Sequence, residues 1–449
     1  MLGLFYTSSV IARSNNLKLS EHILALFKCG YSKNNTLCDV FMKLVITIII
    51  AYSIITKVKT PVNTNMSSLQ KSILKSKLPP SGVNFGIGAR VSKSKGFQRK
   101  RDYEPVEWTP YFDHSEDIKV GNDTFHIYTK GMEGPTLVLL HGGGYSALTW
   151  AELTKSLMTM IVCKVMAIDL RGHGDTCTTN EEDLSANTLA EDVAAVIKIA
   201  AAGDSSVILV GHSMGGAVAV RAAPLIPNLS GLGVIDVVEG TAMDALASMQ
   251  SFLRSRPSSF SSISQAVEWC VRSGQIRNVQ SARVSVPGQI KNNETNELAT
   301  HDIDPSSISS CEYSTETAMP REDIIQEEEP VNMPPPPPPA TSLAAKKYVW
   351  RIDLSKTEQH WFGWFKGLST AFLNVPVPKV LLLAGVDRLD RELTVGQMQG
   401  KFQMQVLPAC GHAVHEDVPD KVAEAIATFM VRHKFAEPAS DFTRTFPAC

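Results

Sequence analysis

The chain has 449 residues, of which 44% are hydrophobic and 20% are charged, and its formal net charge is −2. These values are ordinary for a globular protein with a sizeable core, and the near-neutral balance gives no electrostatic case for binding nucleic acid or a membrane surface. The 8 cysteines form no C-x-x-C pair and no zinc-like spacing, which argues against a disulfide framework and favours a reducing compartment.

Residues 1–105 form a predicted N-terminal extension without clear periodicity. Its most apolar stretch, Leu44–Ile55, is shorter than the roughly 20 apolar residues that a spanning helix needs, so we expect no firm membrane association. The run Lys93–Arg101 is a basic cluster, which is either a solvated segment or a nuclear-import signal. We therefore predict a cytoplasmic protein, with the nucleus as the further location.

From Trp108 onwards, short apolar runs alternate with helix-like segments, a pattern typical of a mostly parallel sheet flanked by helices. The predicted strands are Thr136–Leu140, Val165–Leu170, Val207–Val210, Leu232–Val238, Val380–Ala384 and Gln403–Leu407. The predicted helices between them are Leu189–Ala201 and Ala217–Ala223, and Val422–His433 is predicted to be the closing helix. This pattern predicts an α/β core built from residues 106–239 and 370–449.

Residues 240–369 interrupt this pattern between the fourth and fifth predicted strands. The first part, Met243–Val271, has a helical pattern and is predicted to lie as a cap over the strand ends. The middle part, residues 292–346, is rich in Ser, Thr, Glu and Pro and contains six consecutive prolines at Pro334–Pro339. Such a segment buries too little apolar surface to offset the entropy of ordering, so we predict a disordered insertion that acts as a spacer or as a polyproline ligand.

A candidate nucleophile follows the third predicted strand. Gly211-His212-Ser213-Met214-Gly215 is a G-x-S-x-G motif between an apolar strand and a helix rich in small residues. In this setting the motif forms a sharp elbow that presents the serine hydroxyl at the start of the helix, as in the α/β-hydrolase fold. The sequence therefore predicts an α/β-hydrolase fold with Ser213 as the nucleophile.

The hydroxyl of Ser213 needs a base within hydrogen-bond reach. His412 directly follows Gly411 at the exit of the last strand, and we prefer it over His415 for that reason. The orienting acid has two candidates at strand ends, Asp236 and Asp387, and the order Ser, acid, His fits both.

Acyl transfer also needs hydrogen-bond donors for the developing oxyanion. The backbone N–H of Met214 is one candidate, and that of Gly143, in the His141–Gly144 turn, is the other. We expect His141, His173 and His212 to have roles within their own turns. This chemistry needs no metal ion and no organic cofactor.

The chain resembles the protein phosphatase methylesterases from about Met66 to Cys449. Besides the elbow, the resemblance is carried by HGGGYSALTW (141–150), DLRGHG (169–174), IDVVEGTAMDALASMQ (235–250), SGQIRNVQSARVSVPGQIK (273–291), WRIDLSKTEQHWFGWFKGLS (350–369), LLLAGVDRLD (381–390) and GQMQGKFQMQVLPACGHAVHEDVPDKVAEAIATF (396–429). The segments from the cap are specific to this family, because generic esterases share the elbow but not these stretches. The residues before Met66 have no counterpart in the resemblance, and the insertion at 292–346 is longer and richer in proline than the family pattern.

The resemblance implies hydrolysis of the methyl ester on the C-terminal leucine of the catalytic subunit of type 2A protein phosphatases, releasing methanol. It also implies docking on that subunit and its holoenzymes, with stabilisation of an inactive form of the phosphatase. The family's acid falls on the I-D-V-V-E-G segment, so the resemblance favours Asp236 over Asp387, and its nucleophile and base fall on Ser213 and His412. Two alternatives remain: a hydrolase of small esters or lipids, and a phosphatase-binding inhibitor with secondary esterase activity.

Specificity is expected to come from the cap, at Gly240–Val271 and Trp350–Leu368, around a short apolar C-terminal tail of the substrate. Trp350, Trp361 and Trp364 are the candidate walls of that pocket, with packing in the core as the alternative for each.

Overall fold

The structure is a computed structural model that describes residues 101–303, 347–385, 389–439 and 442. The described residues all belong to one compact unit of the chain, residues 97–449. The predicted features at Leu44–Ile55 and Pro334–Pro339 lie outside the described residues, as does nearly all of the basic cluster. In the part of the chain that is described, no helix combines the length and the apolar character that crossing a membrane requires.

The strands in the described residues are β1 (His114–Val120), β2 (Asp123–Lys130), β3 (Thr136–Leu140), β4 (Lys164–Ile168), β5 (Val207–His212), β6 (Leu229–Ile235), β7 (Ile290–Asn292), β8 (Tyr348–Trp350), β9 (Lys379–Leu383) and β10 (Gln403–Val406). The α-helices there are α1 (Ala151–Leu157), α2 (Ala186–Ala200), α3 (Met214–Ala222), α4 (Glu239–Ser255), α5 (Ile263–Arg272), α6 (Val279–Ser285), α7 (Glu358–Phe365), α8 (Leu368–Asn374), α9 (Arg391–Met398), α10 (Val414–Asp417) and α11 (Pro419–Arg432).

A sheet of eight strands in the order β1-β2-β4-β3-β5-β6-β9-β10 forms the centre of the fold. All neighbours from β4 to β10 pair in parallel, whereas β1 with β2 and β2 with β4 pair antiparallel. Strands β3 and β5 are buried along their whole length, as expected for parallel strands covered on both faces. The prediction of a mostly parallel sheet flanked by helices is therefore confirmed.

Two hydrophobic cores lie on the two faces of this sheet. Helices α2, α3, α7 and α8 contribute to the first core, and α1 and α11 contribute to the second. In a doubly covered parallel sheet, the loops at the carboxyl ends of the strands share one edge. The loops after β3, β5, β6, β9 and β10, which carry the candidate catalytic residues, therefore lie at the same edge.

The segment that was predicted to form a cap lies between β6 and β9. The segment predicted to be helical at Met243–Val271 is divided into α4 and α5, with Pro257 between them. Arg256, which precedes that proline, has the extended conformation that a following proline favours. Residues 292–303, which the sequence analysis placed in the insertion, form the end of β7 and a short 3₁₀ helix at Ala299–Asp302, and residues 304–346 lie outside the described part of the chain.

Candidate active site

The turn between β5 and α3 holds Ser213 in an unusual backbone conformation. Its φ of 53° and ψ of −120° lie outside the regions that L-residues favour, and such strain is typical of functional turns. The turn closes only because its flanking residues lack side chains: a Cβ atom on Gly211 would lie 2.1 Å from the carbonyl oxygen of Gly215. The Ser213 N–H donates to the carbonyl of Ile235, 3.0 Å away, which ties the elbow to the end of β6.

The side chain of His412 lies between Ser213 and Asp236. Its Nε2 is 3.0 Å from Ser213 Oγ, and its Nδ1 is 2.8 Å from Asp236 Oδ2. Asp236 is fully buried at its side chain, whereas half of the His412 side chain is exposed. The structure therefore brings together three of the predicted residues in the order hydroxyl, imidazole, carboxylate, with the carboxylate shielded from water and the imidazole open to it.

Asp236 itself is held by the neighbouring strand. Its N–H donates to the carbonyl of Leu382 at 2.8 Å, and its Oδ1 accepts from the N–H of Ala384 at 3.0 Å. Its φ of 51° is also in the left-handed region, which turns its side chain away from the regular course of β6. The loop that follows β9 thus supports Asp236 through its backbone, while Asp387 in that same loop lies outside the described residues.

The loop that carries His412 is fixed by a buried carboxylate. Asp417 accepts hydrogen bonds from the backbone N–H of Gly411, at 2.6 Å, and from that of Arg277, at 2.7 Å. The ring of His212 supports the same loop, because its Nε2–H donates to the carbonyl of His412 at 2.8 Å. Burial lowers the pKa of His212 well below its usual range, so this imidazole is a neutral donor at physiological pH.

The turn after β3 lies beside the elbow. A Cβ on Gly142 would lie 3.3 Å from Ser213 Cβ, and one on Gly143 would lie 3.7 Å from Met214 Sδ. The N–H of Gly144 donates to His173 Nε2 at 2.9 Å and is therefore committed to the turn. The N–H of Met214 is in the first turn of α3, where backbone donors have no partner within the helix.

The segment after β4 holds this glycine-rich turn in place. His173 donates from Nδ1 to the carbonyl of Arg171, and burial lowers its pKa to about 4, so its Nε2 remains a neutral acceptor for Gly144. Asp169 accepts from the N–H groups of Ala147 and Asp175, at 2.6 and 3.1 Å. The role of His173 within its own turn was predicted, but the contacts from His173 to Gly144 and from Asp169 to Ala147 were not. The signal that could have found them is that their segment directly follows β4, at the edge of the sheet that carries the candidate catalytic residues.

His415, the competing base in the sequence analysis, lies behind the site. Its Nε2 is 2.8 Å from Thr149 Oγ1, and its ring packs between Trp150 and His212, with centroid distances of 4.2 and 4.4 Å. Burial lowers its pKa well below its usual range. The hydroxyl of Thr149 also donates to the buried carboxyl group of Glu416, so His415 belongs to a polar network in the interior.

The three predicted pocket tryptophans occupy two environments. Trp350 and Trp361 line a cavity of about 490 Å³ between α4, β8 and α7, and Trp361, which is 3% exposed, also packs in the core of the first sheet face. Trp364 does not line this cavity: it is 3% exposed, packs in the core of the first sheet face, and donates from its indole N–H to the carbonyl of Leu184. Within the described residues, no group of three or more His, Cys, Asp or Glu side chains is arranged to hold a metal ion.

Comparison with known proteins places this geometry in a family. The model of the Alpha/beta hydrolase family matches residues 137–425. The protein phosphatase methylesterase 1 of Mus musculus is 54% identical over 402 residues and that of Homo sapiens 53%, each alignment covering 86% of this chain and 100% of the relative. The solved structure of an E-2-(acetamidomethylene)succinate hydrolase, at 20% identity, has a TM-score of 0.51, covers 71% of this chain and 99% of that one, and shows the fold alone. The chain is therefore a hydrolytic esterase that belongs to the protein phosphatase methylesterases, within the α/β hydrolase family.

Proposed function

We propose that this protein hydrolyses the methyl ester on the C-terminal leucine of the catalytic subunit of type 2A protein phosphatases, with Ser213, His412 and Asp236 as its catalytic triad. The observation that carries the mechanism is the continuous chain of contacts from Ser213 Oγ through His412 to Asp236 Oδ2, at 3.0 and 2.8 Å. The observation that carries the substrate is the name shared by the relatives, which specifies a methylesterase acting on a protein phosphatase.

The reaction proceeds in two steps. His412 Nε2 takes the proton of Ser213 as Oγ attacks the ester carbonyl, and Asp236 stabilises the imidazolium through Nδ1–H. The oxyanion accepts hydrogen bonds from the N–H groups of Met214 and Gly143, and each such donor typically contributes about 10²–10³-fold to the rate. His412 then returns the proton to the leaving methoxide, and methanol departs. Water attacks the acyl-enzyme by the same route and releases the free carboxylate.

The proton returned by His412 is important because methoxide is a poor leaving group. General acid catalysis of this kind typically contributes about 10²–10⁴-fold. The open side of the imidazole, at half exposure, leaves room for the ester and for the water of the second step. The burial of Asp236 keeps its interaction with the imidazolium unscreened by solvent.

The experiment that tests the proposal is the incubation of methyl-esterified phosphatase catalytic subunit with the wild-type protein and with Ser213→Ala. We expect methanol release by the wild type and a loss of about 10⁴-fold or more in the variant. Labelling with a fluorophosphonate reports separately whether Ser213 is nucleophilic. Turnover of short acyl esters without any demethylation of the phosphatase would instead indicate a small-ester or lipid hydrolase, and phosphatase inhibition by Ser213→Ala would indicate a sequestering role.

We also propose that residues 240–369 act as a cap that selects the substrate, over a hydrolase core formed by residues 106–239 and 370–449. The location we propose is the cytoplasm and nucleus. In its support, the cysteines that the structure describes, Cys163, Cys177, Cys270 and Cys410, are free thiols, as expected for a reducing compartment. Fluorescence microscopy of the tagged full-length chain tests this location.

A further inference from the structure

The cavity of about 490 Å³ lies next to the glycine-rich turn after β3, with the Leu354 side chain between them. Leu354 lines the cavity, and its methyl groups also lie against the glycine-rich turn, since a Cβ on Gly144 would lie 2.7 Å from Leu354 Cδ1 and one on Gly143 would lie 3.7 Å from Cδ2. The cavity therefore lies on the far side of Leu354 from the turn where the ester carbonyl is proposed to bind, and its lining includes none of the proposed triad residues. Because the alcohol part of a methyl ester is a single carbon, nearly all of the substrate must extend on the acyl side of the bond.

Arg256 is the most unusual side chain in this cavity. Its guanidinium carbon lies 3.6 Å from the centre of the Trp350 ring, and its Nε is buried without a hydrogen-bond partner among the described residues. Burial lowers its pKa, yet a guanidinium remains charged at any physiological pH. A half-buried cation without an anionic partner among the described residues is costly to keep, so its position favours an anionic ligand.

The carboxylates of the cavity do not satisfy Arg256. Asp353 is close enough to influence its pKa, but Oδ1 of Asp353 accepts from the N–H and the hydroxyl of Ser355, at 3.0 and 2.6 Å, and caps the 3₁₀ helix that begins there. Glu358 is engaged with Gln250 across the gap between α7 and α4. In the described part of the chain, Arg256 forms no ion pair within 4.0 Å, whereas Arg351 and Arg171 each bind a carboxylate through two nitrogens.

We propose that Arg256 binds a carboxylate side chain of the substrate protein, on an Asp or Glu that precedes the esterified residue. This inference rests on the proposed function, because it assumes a polypeptide on the acyl side of the ester. Asp353 and Glu358 line the same cavity, and they repel a doubly charged phosphate more strongly than a singly charged carboxylate. The planar face of the guanidinium is already covered by Trp350, so its N–H edge remains for a bidentate contact with the carboxylate.

The proposed contact between Arg256 and the substrate carboxylate affects which substrate is preferred and does not take part in cleaving the ester bond. The triad and the oxyanion donors do not touch Arg256, so its loss leaves the chemistry of a neutral substrate intact. A charge-assisted hydrogen bond of this kind corresponds to about 10–100-fold in kcat/KM between a substrate that makes it and one that does not.

The test uses synthetic hexapeptides ending in leucine methyl ester, with one Asp at each of the five preceding positions in turn and Asn at the same position as its neutral counterpart. We expect wild-type kcat/KM to favour Asp over Asn by about 10–100-fold at one position. Arg256→Gln should remove this preference, so that its kcat/KM is the same for the Asp peptide and the Asn peptide. Arg256→Glu should prefer Lys at the same position. Arg272→Gln, which removes an exposed arginine paired with Glu268, is the matched control and should keep the preference.

Equal turnover of Asp and Asn peptides at every position would overturn the inference, as would an Arg256→Gln variant that loses activity on both to the same extent. If that variant fails to fold, Arg256→Lys is used, and it should keep part of the preference. A stronger preference for phosphoserine than for Asp would indicate that Arg256 binds a phosphate group, and this result would also contradict the proposal.

Binding of the same peptides to Ser213→Ala, followed by fluorescence anisotropy, separates this inference from the proposed function. Discrimination between Asp and Asn in binding, without hydrolysis by the wild type, would leave the Arg256 site standing and remove the esterase assignment of the substrate. Hydrolysis of the peptide esters without discrimination between Asp and Asn would support the esterase assignment and overturn the Arg256 site. Absence of both binding and hydrolysis would overturn both.

Discussion

The edge of the sheet that carries the candidate catalytic residues and the proposed cap are built in different ways. At the edge, three polar side chains hold the loops together: Asp236, Asp417 and His173 each bind backbone groups of a neighbouring loop. In the proposed cap, none of the side chains of α4 that the structure describes is fully buried, and Arg256 is half-buried and unpaired among the described residues. The edge is thus preorganised for one reaction, whereas the cap keeps its interactions available for a ligand.

This difference predicts where substitutions act. Changes at the edge should reduce kcat or the stability of the fold, because the partners there are already satisfied and lose their interactions. Changes in the cap should alter KM and substrate preference.

The largest effect is expected for Asp236→Asn. The amide cannot stabilise the imidazolium and favours the wrong tautomer of His412, so kcat should fall by about 10³–10⁴-fold with little change in KM. Methanol release from methylated phosphatase measures this. Asp387→Asn is the control, because Asp387 was the other candidate acid, and it should retain nearly full kcat. The opposite result for the two variants would move the orienting role to Asp387.

The next effect is expected for Gly174→Ala, in the segment that supports the glycine-rich turn. Gly174 has a φ of +52°, and a Cβ there would lie 2.0 Å from Cγ of Asp169, whose carboxylate holds the N–H of Ala147. Strain of this kind costs about 1–3 kcal/mol, and displacement of Asp169 adds the loss of its hydrogen bonds. Chemical denaturation should show a fall of about 2–4 kcal/mol in the free energy of unfolding.

Gly203→Ala is the matched control, because Gly203 also has a positive φ but a Cβ there would meet nothing within 4 Å. It should cost only the backbone strain, about 1 kcal/mol. If both variants lose the same stability, the close packing of Asp169 against Gly174 contributes nothing beyond the backbone conformation.

The third effect concerns pH. Glu416 is buried behind the site, where the hydroxyl groups of Thr149 and Ser285 contact its two oxygens, and burial raises its pKa to about 8. Because the folded pKa exceeds the unfolded value of 4.5, the protonated form is favoured in the fold. The resulting stabilisation is complete below about pH 4.5 and is lost as the pH rises through about 8, by at most about 1.4 kcal/mol per pH unit.

Glu416→Gln removes this dependence, since the amide is neutral and offers a similar shape and similar hydrogen bonds. The free energy of unfolding of the variant, relative to the wild type, should therefore increase between pH 5 and pH 8 in guanidinium denaturation. Glu133→Gln, at an exposed carboxylate, should leave the wild-type pH dependence unchanged. A constant difference between Glu416→Gln and wild type at all pH values would show that Glu416 is ionised throughout.

The sequence predicts the catalytic edge better than the rest of the molecule, and the reason is physical. Strand β3 matches its predicted bounds, and β5 begins at the predicted residue, because both are continuous apolar runs that end at glycine-rich turns. The hairpin β1–β2 was not predicted: β1 lies at the sheet edge, where only Ile118 is fully buried, so its sequence carries little apolar periodicity.

Interactions between residues that are far apart in the chain could not be predicted from the sequence either. The support of His412 by the ring of His212, and of Asp236 by the N–H of Ala384, depends on side chains and backbone groups that only the fold brings together. Pro257 is a local sequence signal for the break between α4 and α5. The unpaired state of the neighbouring Arg256, in contrast, can be recognised only from the structure of the cavity around it. Candidate catalytic residues can therefore be predicted from local motifs, whereas their hydrogen-bond partners on other loops of the sheet edge cannot.

The smallest effect is expected for Arg351→Lys, at a residue that links the proposed cap to the loops at the sheet edge. Arg351, directly after β8, binds both carboxylate oxygens of Glu181 at 2.9 and 3.0 Å and donates to the carbonyls of Gly174 and Thr176, each at 3.0 Å. A lysine keeps the charge but cannot reproduce this planar set of contacts, so Arg351→Lys should cost about 1 kcal/mol of stability. Because β8 carries Trp350, the variant should raise KM for the phosphatase by a few fold and leave kcat nearly unchanged.

Steady-state kinetics on methylated phosphatase, together with thermal unfolding, measures both effects of Arg351→Lys. The control is Lys356→Arg, at an exposed position whose ion pair with Glu182 is 3.9 Å long and largely solvated, and it should change neither quantity. A fall in kcat at constant KM for Arg351→Lys would contradict the division drawn above, because a residue that fastens the cap would then act on the bond-breaking step. A rise in KM alone would place the selection of the substrate in the cap, where Arg256 and Trp350 face the cavity.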